Sequence, residues 1–314
     1  MERWYAPPSL ATWLLVPLAL VYGLIIRAWH LAFDLGWRRA VRIEGAYVIS
    51  VGNLVVGGSG KTPVVIHLAR QALAQGHRVA VLSRGYGRRS AAVRSFTSAA
   101  LPPVEEVGDE PRLIARRCPG VTVWVGPRRV DLARKAVAAG ATVLILDDGF
   151  QHRQLARDVD LLVDAGLGNG WMLPAGPLRE PASGRRRATH VWGRDGRPGD
   201  FEARHRITGV RAPEGMLLGR DALSGREVVL LLGLARPQLV REAVTQLGAV
   251  VRAVHAFADH HLFTPAEVAA ARAAATNAWL LTTEKDAERL PEGTAHVLVL
   301  DVDVTRGVLL SPRP

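Results

Sequence analysis

Residues 51–63, VGNLVVGGSGKTP, carry four glycines ahead of Lys61 and Thr62, between two apolar runs. Phosphate is the ligand that these residue types suit. Glycines let successive backbone N–H groups turn onto phosphate oxygens. A helix that starts directly after the loop adds a favourable dipole. The Lys61 ammonium can then reach the β- and γ-phosphates, and the Thr62 hydroxyl can ligate Mg²⁺. The strict pattern G-x-x-x-x-G-K-[ST] fails at its first position, which holds Val55. Gly57 and Gly58 supply backbone freedom instead. The expected nucleotide cradle is therefore Val55, Val56, Gly57, Gly58, Ser59, Gly60, Lys61 and Thr62. A glycine-rich turn with no ligand is the plainer alternative.

Four further strings hold reactive types. TVLILDDGFQH, residues 142–152, is an apolar strand ending in Asp147 and Asp148. Acids at the carboxyl end of a parallel strand lie beside a nucleotide crevice and can hold Mg²⁺. By itself the pair reads equally as turn acids or a helix cap. VGDEPRLIARR, residues 107–117, offers Asp109 and Glu110, either as first-turn helix acids or as a base for a substrate hydroxyl. FADHHLF, residues 257–263, holds adjacent histidines whose side chains diverge, so a shared metal is disfavoured. An Asp-His pair for proton handling is possible, yet spacing alone favours a structural His260. TTEKDAERL, residues 282–290, has the wrong spacing for a guanine-reading motif and argues against a GTPase.

The elements that must position these groups follow from periodicity. YVISVGN, RVAVLS, VTVWVG, TVLILDD and DLLVDA are short continuous apolar runs, as in strands buried on both faces. Helical stretches alternate with them, the first from about Thr62 to Gln75 and closed by Gly76. This alternation predicts a parallel sheet. Around residues 200–226 the pattern changes to a hairpin linker, and a second, smaller α/β set follows. The run RRRATH, residues 185–190, reads as a solvated face.

Composition narrows the setting. The chain has 314 residues, a single cysteine and a formal charge of +11. Cys118 cannot form an internal disulfide, and the reducing interior of a cell suits it. Of the basic residues only Lys61, Lys135 and Lys285 are lysine. A lysine that persists among so many arginines hints at a need for a compact ammonium. The charge favours an anionic partner, and no aromatic-interleaved basic run favours nucleic acid. Residues 10–26 are free of charge, four of the eight tryptophans lie in the first 37 residues, and Arg27, Arg38, Arg39 and Arg42 follow. A membrane-associated helix with the rest of the chain cytoplasmic is the expectation. Pro17 should kink it. A cleaved signal peptide and a buried core helix are the competing readings. The first has only Arg3 in its basic region.

Taken together, SVGNLVVGGSGKTPVV, SRGYGR, VGDEPRLIARR, ILDDGFQH, GNGWMLPAGPLREP, FADHHLF and TTEKDA occur in the order seen in the tetraacyldisaccharide 4′-kinases of lipid A synthesis, which this chain resembles. The resemblance implies an α/β fold with a P-loop NTPase-like parallel sheet, an N-terminal membrane helix and a smaller second α/β domain. The expected segments are 1–38, 39–199, 200–226 (the hairpin linker) and 227–314. It implies an ATP- and Mg²⁺-dependent kinase at the cytoplasmic face of the inner membrane. Its substrate would be an acylated glucosamine disaccharide 1-phosphate, phosphorylated at the 4′-hydroxyl, with no nucleic acid and no obligate protein partner. By the same carry-over, Asp109 with His260 would act as base, and Asp147, Asp148 and Glu110 would organise Mg²⁺ with Thr62. Arg84 and the loop 171–181 would face the substrate. The family shares the Val55 departure. A membrane-tethered P-loop ATPase switch acting on a protein partner is the alternative.

Overall fold

The computed structural model describes residues 4, 8–194 and 196–306. The outer ends of the first and last expected segments, and Arg3 with them, lie outside these residues. Helix α1 (Leu10–Asp34) is followed by β1 (Tyr47–Gly52), α2 (Lys61–Ala74), β2 (Val79–Ser83), β3 (Arg94–Phe96), α3 (Val104–Val107), α4 (Asp109–Arg117), β4 (Thr122–Val125), α5 (Arg129–Ala138), β5 (Val143–Asp147), β6 (Val159–Asp164) and β7 (His190–Arg194). Then come β8 (Phe201–Arg211), β9 (Leu217–Gly219), β10 (Glu227–Leu232), α6 (Pro237–Gln246), β11 (Val250–Ala256), α7 (Pro265–Ala274), β12 (Trp279–Thr283), α8 (Glu284–Ala287) and β13 (His296–Arg306).

The strands form one 13-stranded sheet in the order β11-β10-β12-β13-β8-β7-β6-β1-β5-β2-β4-β3, with β9 on β8. Valine, isoleucine and leucine fill β1, β2, β5 and β6, which are covered on both faces. One apolar cluster packs α2 and α4 against this half, and another packs α5 on the opposite face. Two further clusters flank β10 and β12 in the same way. The expected hairpin exists, since β9 pairs antiparallel with β8. The longer partner of β8 is β13, antiparallel from Glu202↔Arg306 to Arg211↔Val297. That ribbon joins the two halves and was not visible in local pattern, because its paired residues lie 86 to 104 positions apart.

Two helix starts are explicit in the sequence. Ser9 forms a capping box with Thr12 at α1, and Thr264 forms one with Glu267 at α7. Pro17 lies inside α1. The helix runs past the charge-free stretch to Asp34, about 37 Å at 1.5 Å per residue. Its polar groups meet the body: Tyr22 Oη donates to Arg179 O at 2.8 Å, His30 Nε2 lies 3.1 Å from Glu180, and Arg153 Nη2 donates to Asp34 at 2.7 Å. Trp13 packs edge-on to Trp171. The other face leaves Leu10, Leu14, Leu18, Val21, Leu24 and Ile25 exposed. The 185–190 run is only partly a solvated face: Arg185 pairs with Asp164, and Arg187 pairs with Glu180 and lies over the Phe150 ring.

Register sets the crevice. Val51 lies opposite Asp147 in the parallel β1–β5 pair, so the glycine loop and the Asp147–Asp148 corner leave the same sheet end. The close approach needs Gly52, where an added Cβ would sit 2.5 Å from Phe150 Cβ and 2.7 Å from its backbone N. Gly52→Ala should therefore destabilise the fold by about 1–3 kcal/mol, as over-packing does. The urea midpoint measures this, and an unchanged midpoint would contradict the packing.

Candidate active site

The loop between β1 and α2 is pinned from outside. Val55 is buried among Leu54, Phe150, Leu162 and Leu178, and bridges Leu178. The Val56 N–H donates to Pro177 O at 2.9 Å. These two residues pack and anchor, so the amides open to a ligand begin at Gly57. That is the physical reason a valine can stand where the strict pattern has glycine. Gly57 and Gly60 take positive φ, 90° and 78°. Arg236 Nη2 donates to Gly58 O at 2.6 Å, and His205 Nε2 lies 3.0 Å from Gly60 O. A peptide plane points its C=O and N–H in opposite directions, so the Ser59 and Lys61 amides face away from Arg236 and His205. The sequence did not single out either residue.

Lys61, only 9% exposed, begins α2. Its Nζ donates to Asn53 Oδ1 at 3.2 Å and Ser59 Oγ at 3.1 Å, and lies 3.3 Å from Asp148 Oδ1. Asp148 sits at positive φ, and its Oδ2 accepts from Arg179 Nη1 at 2.7 Å. Burial would raise its pKa, but Lys61 and Arg179 outweigh this and hold it far below the usual range. Asp147 differs. It is 2% exposed, Ser83 Oγ donates to its Oδ2 at 3.0 Å, and its Oδ1 has no partner. Burial first, then the charges of Glu110 and Asp148, push its carboxyl well above the usual range. Arg129 is buried nearby, with Nε and Nη1 unpartnered, and is pulled down to about 10 by burial and Arg84.

A second cluster joins the two halves. Asp109, first residue of α4 and 2% exposed, lies against His260 from the far half of the chain. His260 Nδ1 is 2.9 Å from Oδ2 and 3.1 Å from Oδ1. Oδ1 also accepts the Glu110 N–H at 2.8 Å, and Arg289 Nε lies 3.4 Å from Oδ2. Burial would raise the Asp109 pKa, yet the His260 hydrogen bond, Lys285 and Arg289 bring it below the usual value. Lys285 Nζ sits 3.2 Å from Glu110 Oε1 and 3.1 Å from Asp259 Oδ1. Burial would lower its pKa; the carboxylates of Glu110, Asp109 and Asp259 more than offset that and hold it above the usual lysine range. His261 instead bonds Glu267 and stacks on Phe257, a structural role.

Beside His260 opens a cavity of about 500 Å³, lined by Arg84, Tyr86, Arg88, Arg89 and Ser90. The Tyr86 ring lies 4.9 Å from the His260 ring. The loop 171–181 packs on α1 and supplies Arg179. Sequence reasoning gave no role of their own to Asn53, Ser83 and Arg179, though each lies inside a quoted string and Arg179 in the 171–181 loop, and Arg129 lies in none of them. For Lys285 there was a signal, its survival as a lysine.

Among the described residues, no group of three His, Cys, Asp or Glu side chains is arranged to hold a metal by itself. A Mg²⁺ that arrives with a triphosphate needs only one or two carboxylates. The partnerless Oδ1 of Asp147 fits such an ion, and the half-buried Thr62 is the second residue of α2. Asp148 and Glu110 are engaged by Lys61 and Lys285 in this state.

A family model described as tetraacyldisaccharide-1-P 4′-kinase, LpxK, matches residues 11–308. A tetraacyldisaccharide 4′-kinase of Anaeromyxobacter sp. (strain K) is 47% identical over 88% of this chain and 82% of its own length. One from Polaromonas sp. (strain JS666) is 37% identical over the whole chain and 92% of its own length. The crystal structure of LpxK from Aquifex aeolicus in complex with ATP superposes with a TM-score of 0.77 at 32% identity, covering 95% of this chain and 96% of that one.

The raised Asp147 pKa has a sign. Its folded form favours the proton, so stability is lost as pH rises through the folded pKa. Asp147→Asn should therefore raise the melting temperature of the nucleotide-free protein at pH 8, by an amount that shrinks towards pH 4. A lower melting temperature at pH 8 would contradict this electrostatic reading.

Proposed function

This chain belongs to the tetraacyldisaccharide 4′-kinase family, and on that premise we infer which of its residues carry the transfer and where in the cell they work. The protein is a kinase that moves the γ-phosphate of ATP to the 4′-hydroxyl of a tetraacyldisaccharide 1-phosphate. We assign the triphosphate to the amides from Gly57 to Thr62, with Lys61 against its β- and γ-oxygens. Asp147 and Thr62 would hold Mg²⁺ and Asp148 would orient Lys61. The ion supplies charge neutralisation on the phosphates. Asp109 takes the proton of the attacking hydroxyl. The hydroxyl oxygen bonds the γ-phosphorus, the bond from that phosphorus to the bridging oxygen breaks, and ADP departs.

The observation that carries this reading is the 2.9 Å contact of Asp109 and His260, made across 151 residues, with Glu110 beside it within electrostatic reach of Asp147. His260 donates to Asp109, keeps the carboxylate ionised and directs its free lone pairs. A membrane-tethered switch has no use for such a pair. Arg84, Arg88 and Arg89 suit an anionic acceptor, and Tyr86 offers a ring face for a sugar. We propose the division into residues 1–38, 39–199, 200–226 and 227–314 as working parts, with the ribbon between the two halves setting their spacing.

The exposed apolar face of α1, together with the exposed Arg27, Arg38, Arg39 and Arg42, supports attachment to the cytoplasmic leaflet of the inner membrane. The helix is long and apolar enough to cross a membrane, with mean hydropathy 1.9 and 11% of its apolar window buried. Its opposite face is tied to the body by Tyr22, His30 and Asp34, which favours a helix lying in the interface over one that leaves the body to span.

With Mg²⁺-ATP, the purified protein should convert tetraacyldisaccharide 1-phosphate in micelles to the 1,4′-bisphosphate. Asp109→Ala should cut kcat by about 10²–10⁴-fold with ATP affinity little changed. Full activity of that variant would dismiss Asp109 as base. Deleting residues 1–38 should release the protein from membranes, and a truncated form that still sediments with them would contradict the attachment.

A further inference from the structure

The string TTEKDA has no part in the transfer as described, yet it delivers a buried ammonium to the Asp109–His260 pair. Strand β12 ends at Thr283, whose hydroxyl accepts the Asp286 N–H at 3.2 Å and starts the short turn of α8. Asp286 is pinned in turn by Arg289 and by the Gly233 N–H. This turn aims Lys285 at the start of α4. Its Nζ meets three acceptors: Asp259 Oδ1 at 3.1 Å, Glu110 Oε1 at 3.2 Å and His260 Nε2 at 3.2 Å. An ammonium has three N–H donors and no acceptor. The set is complete.

We propose that Lys285 is a positioning residue for the phosphoryl transfer, which fixes the tautomer of His260 and thereby the aim of Asp109. This rests on the assignment of Asp109 as base. Because Lys285 can only donate, Nε2 of His260 must accept. The ring proton then stands on Nδ1, the atom that faces both oxygens of Asp109. Without the ammonium, Nε2 is free to carry the ring proton, and Nδ1 would turn a lone pair towards the carboxylate. That pairing is repulsive and would move both side chains. The positive φ of His260 and its N–H bond to Gly233 O hold the ring's backbone, so a change of tautomer is met by the side chains rather than by the chain. Arginine would serve poorly here. Its donors lie in a plane, whereas the three acceptors surround a point charge. This accounts for a lysine at 285 in a chain whose basic residues are otherwise almost all arginine.

A purely structural ion pair between the two halves is the competing role, and four readouts separate them. First, ¹⁵N NMR of ring-labelled wild type should show His260 as the Nδ1–H tautomer; an Nε2–H tautomer overturns the proposal without any variant. Second, Lys285→Met should lower kcat by about 10²-fold, the scale of an ångström-level misalignment, with KM for ATP within about twofold. Lys285→Gln, which keeps two N–H donors on a shorter, uncharged side chain, should fall between wild type and the Met variant and serves if the Met variant does not fold. Third, in the Asp109→Ala background Lys285→Met should cost nothing more, since both act through one base. An equal loss in both backgrounds, or unchanged kcat in Lys285→Met and Lys285→Gln, overturns the proposal. Fourth, Asp109→Ala alone decides the underlying reading: full activity there removes the base itself, whereas an inactive Asp109→Ala beside a fully active Lys285→Met sinks only the role given to Lys285.

Discussion

An ammonium buried at the end of a parallel sheet has to be neutralised, and the architecture is organised around neutralising Lys61. Its partners come from three places: Asn53 at the end of β1, Ser59 in the loop, and Asp148 just beyond β5. All three depend on the β1–β5 register and on Gly52, which lets Phe150 come close. The same corner leaves Asp147 with an unpartnered buried oxygen and a disfavoured charge. On the proposed assignment, a triphosphate with its metal would relieve this mismatch. In the free protein the carboxylate beside Lys61 is Asp148.

The second half completes the site by reaching back. Helix α4 is the element it grips. Asp109 at its start meets His260, while Arg112, Arg116 and Arg117 along it pair with Glu288, Glu292, Glu284 and Asp301. A separate chain of contacts runs from α1: His30 to Glu180, Glu180 to Gln151, and Gln151 to Asn53 O beside Lys61. The helix with the apolar face is therefore in polar contact with the root of the phosphate loop.

Much of this was legible beforehand where chemistry and local pattern coincide. The glycine loop, the strand ending in Asp-Asp and the following helix are local; the helix, expected from about Thr62 to Gln75, runs from Lys61 to Ala74. The fold class and the family follow from the same strings. The long β8–β13 ribbon was hidden because pairing across 86 to 104 residues leaves no local mark. Val55 and Val56 were included in the cradle because the string cannot show that one side chain is buried and the next amide bonded to Pro177. Glu110 was grouped with the metal acids, yet the structure sets it on Lys285. Arg129 and Arg236 were invisible for a general reason: in a chain so rich in arginine, no single arginine stands out, and Arg179 entered only as part of the 171–181 loop.

The central claim is that the Gly57–Thr62 amides and the Asp147 corner enclose one nucleotide tail. Hydrogen exchange read by mass spectrometry, with and without a non-hydrolysable ATP analogue and Mg²⁺, tests it most directly. We expect slowed exchange in peptides spanning 53–62 and 147–152 together, and loss of both effects in Lys61→Ala. Unchanged exchange in the 53–62 peptide of the wild type, with protection falling elsewhere in the chain, would contradict the account.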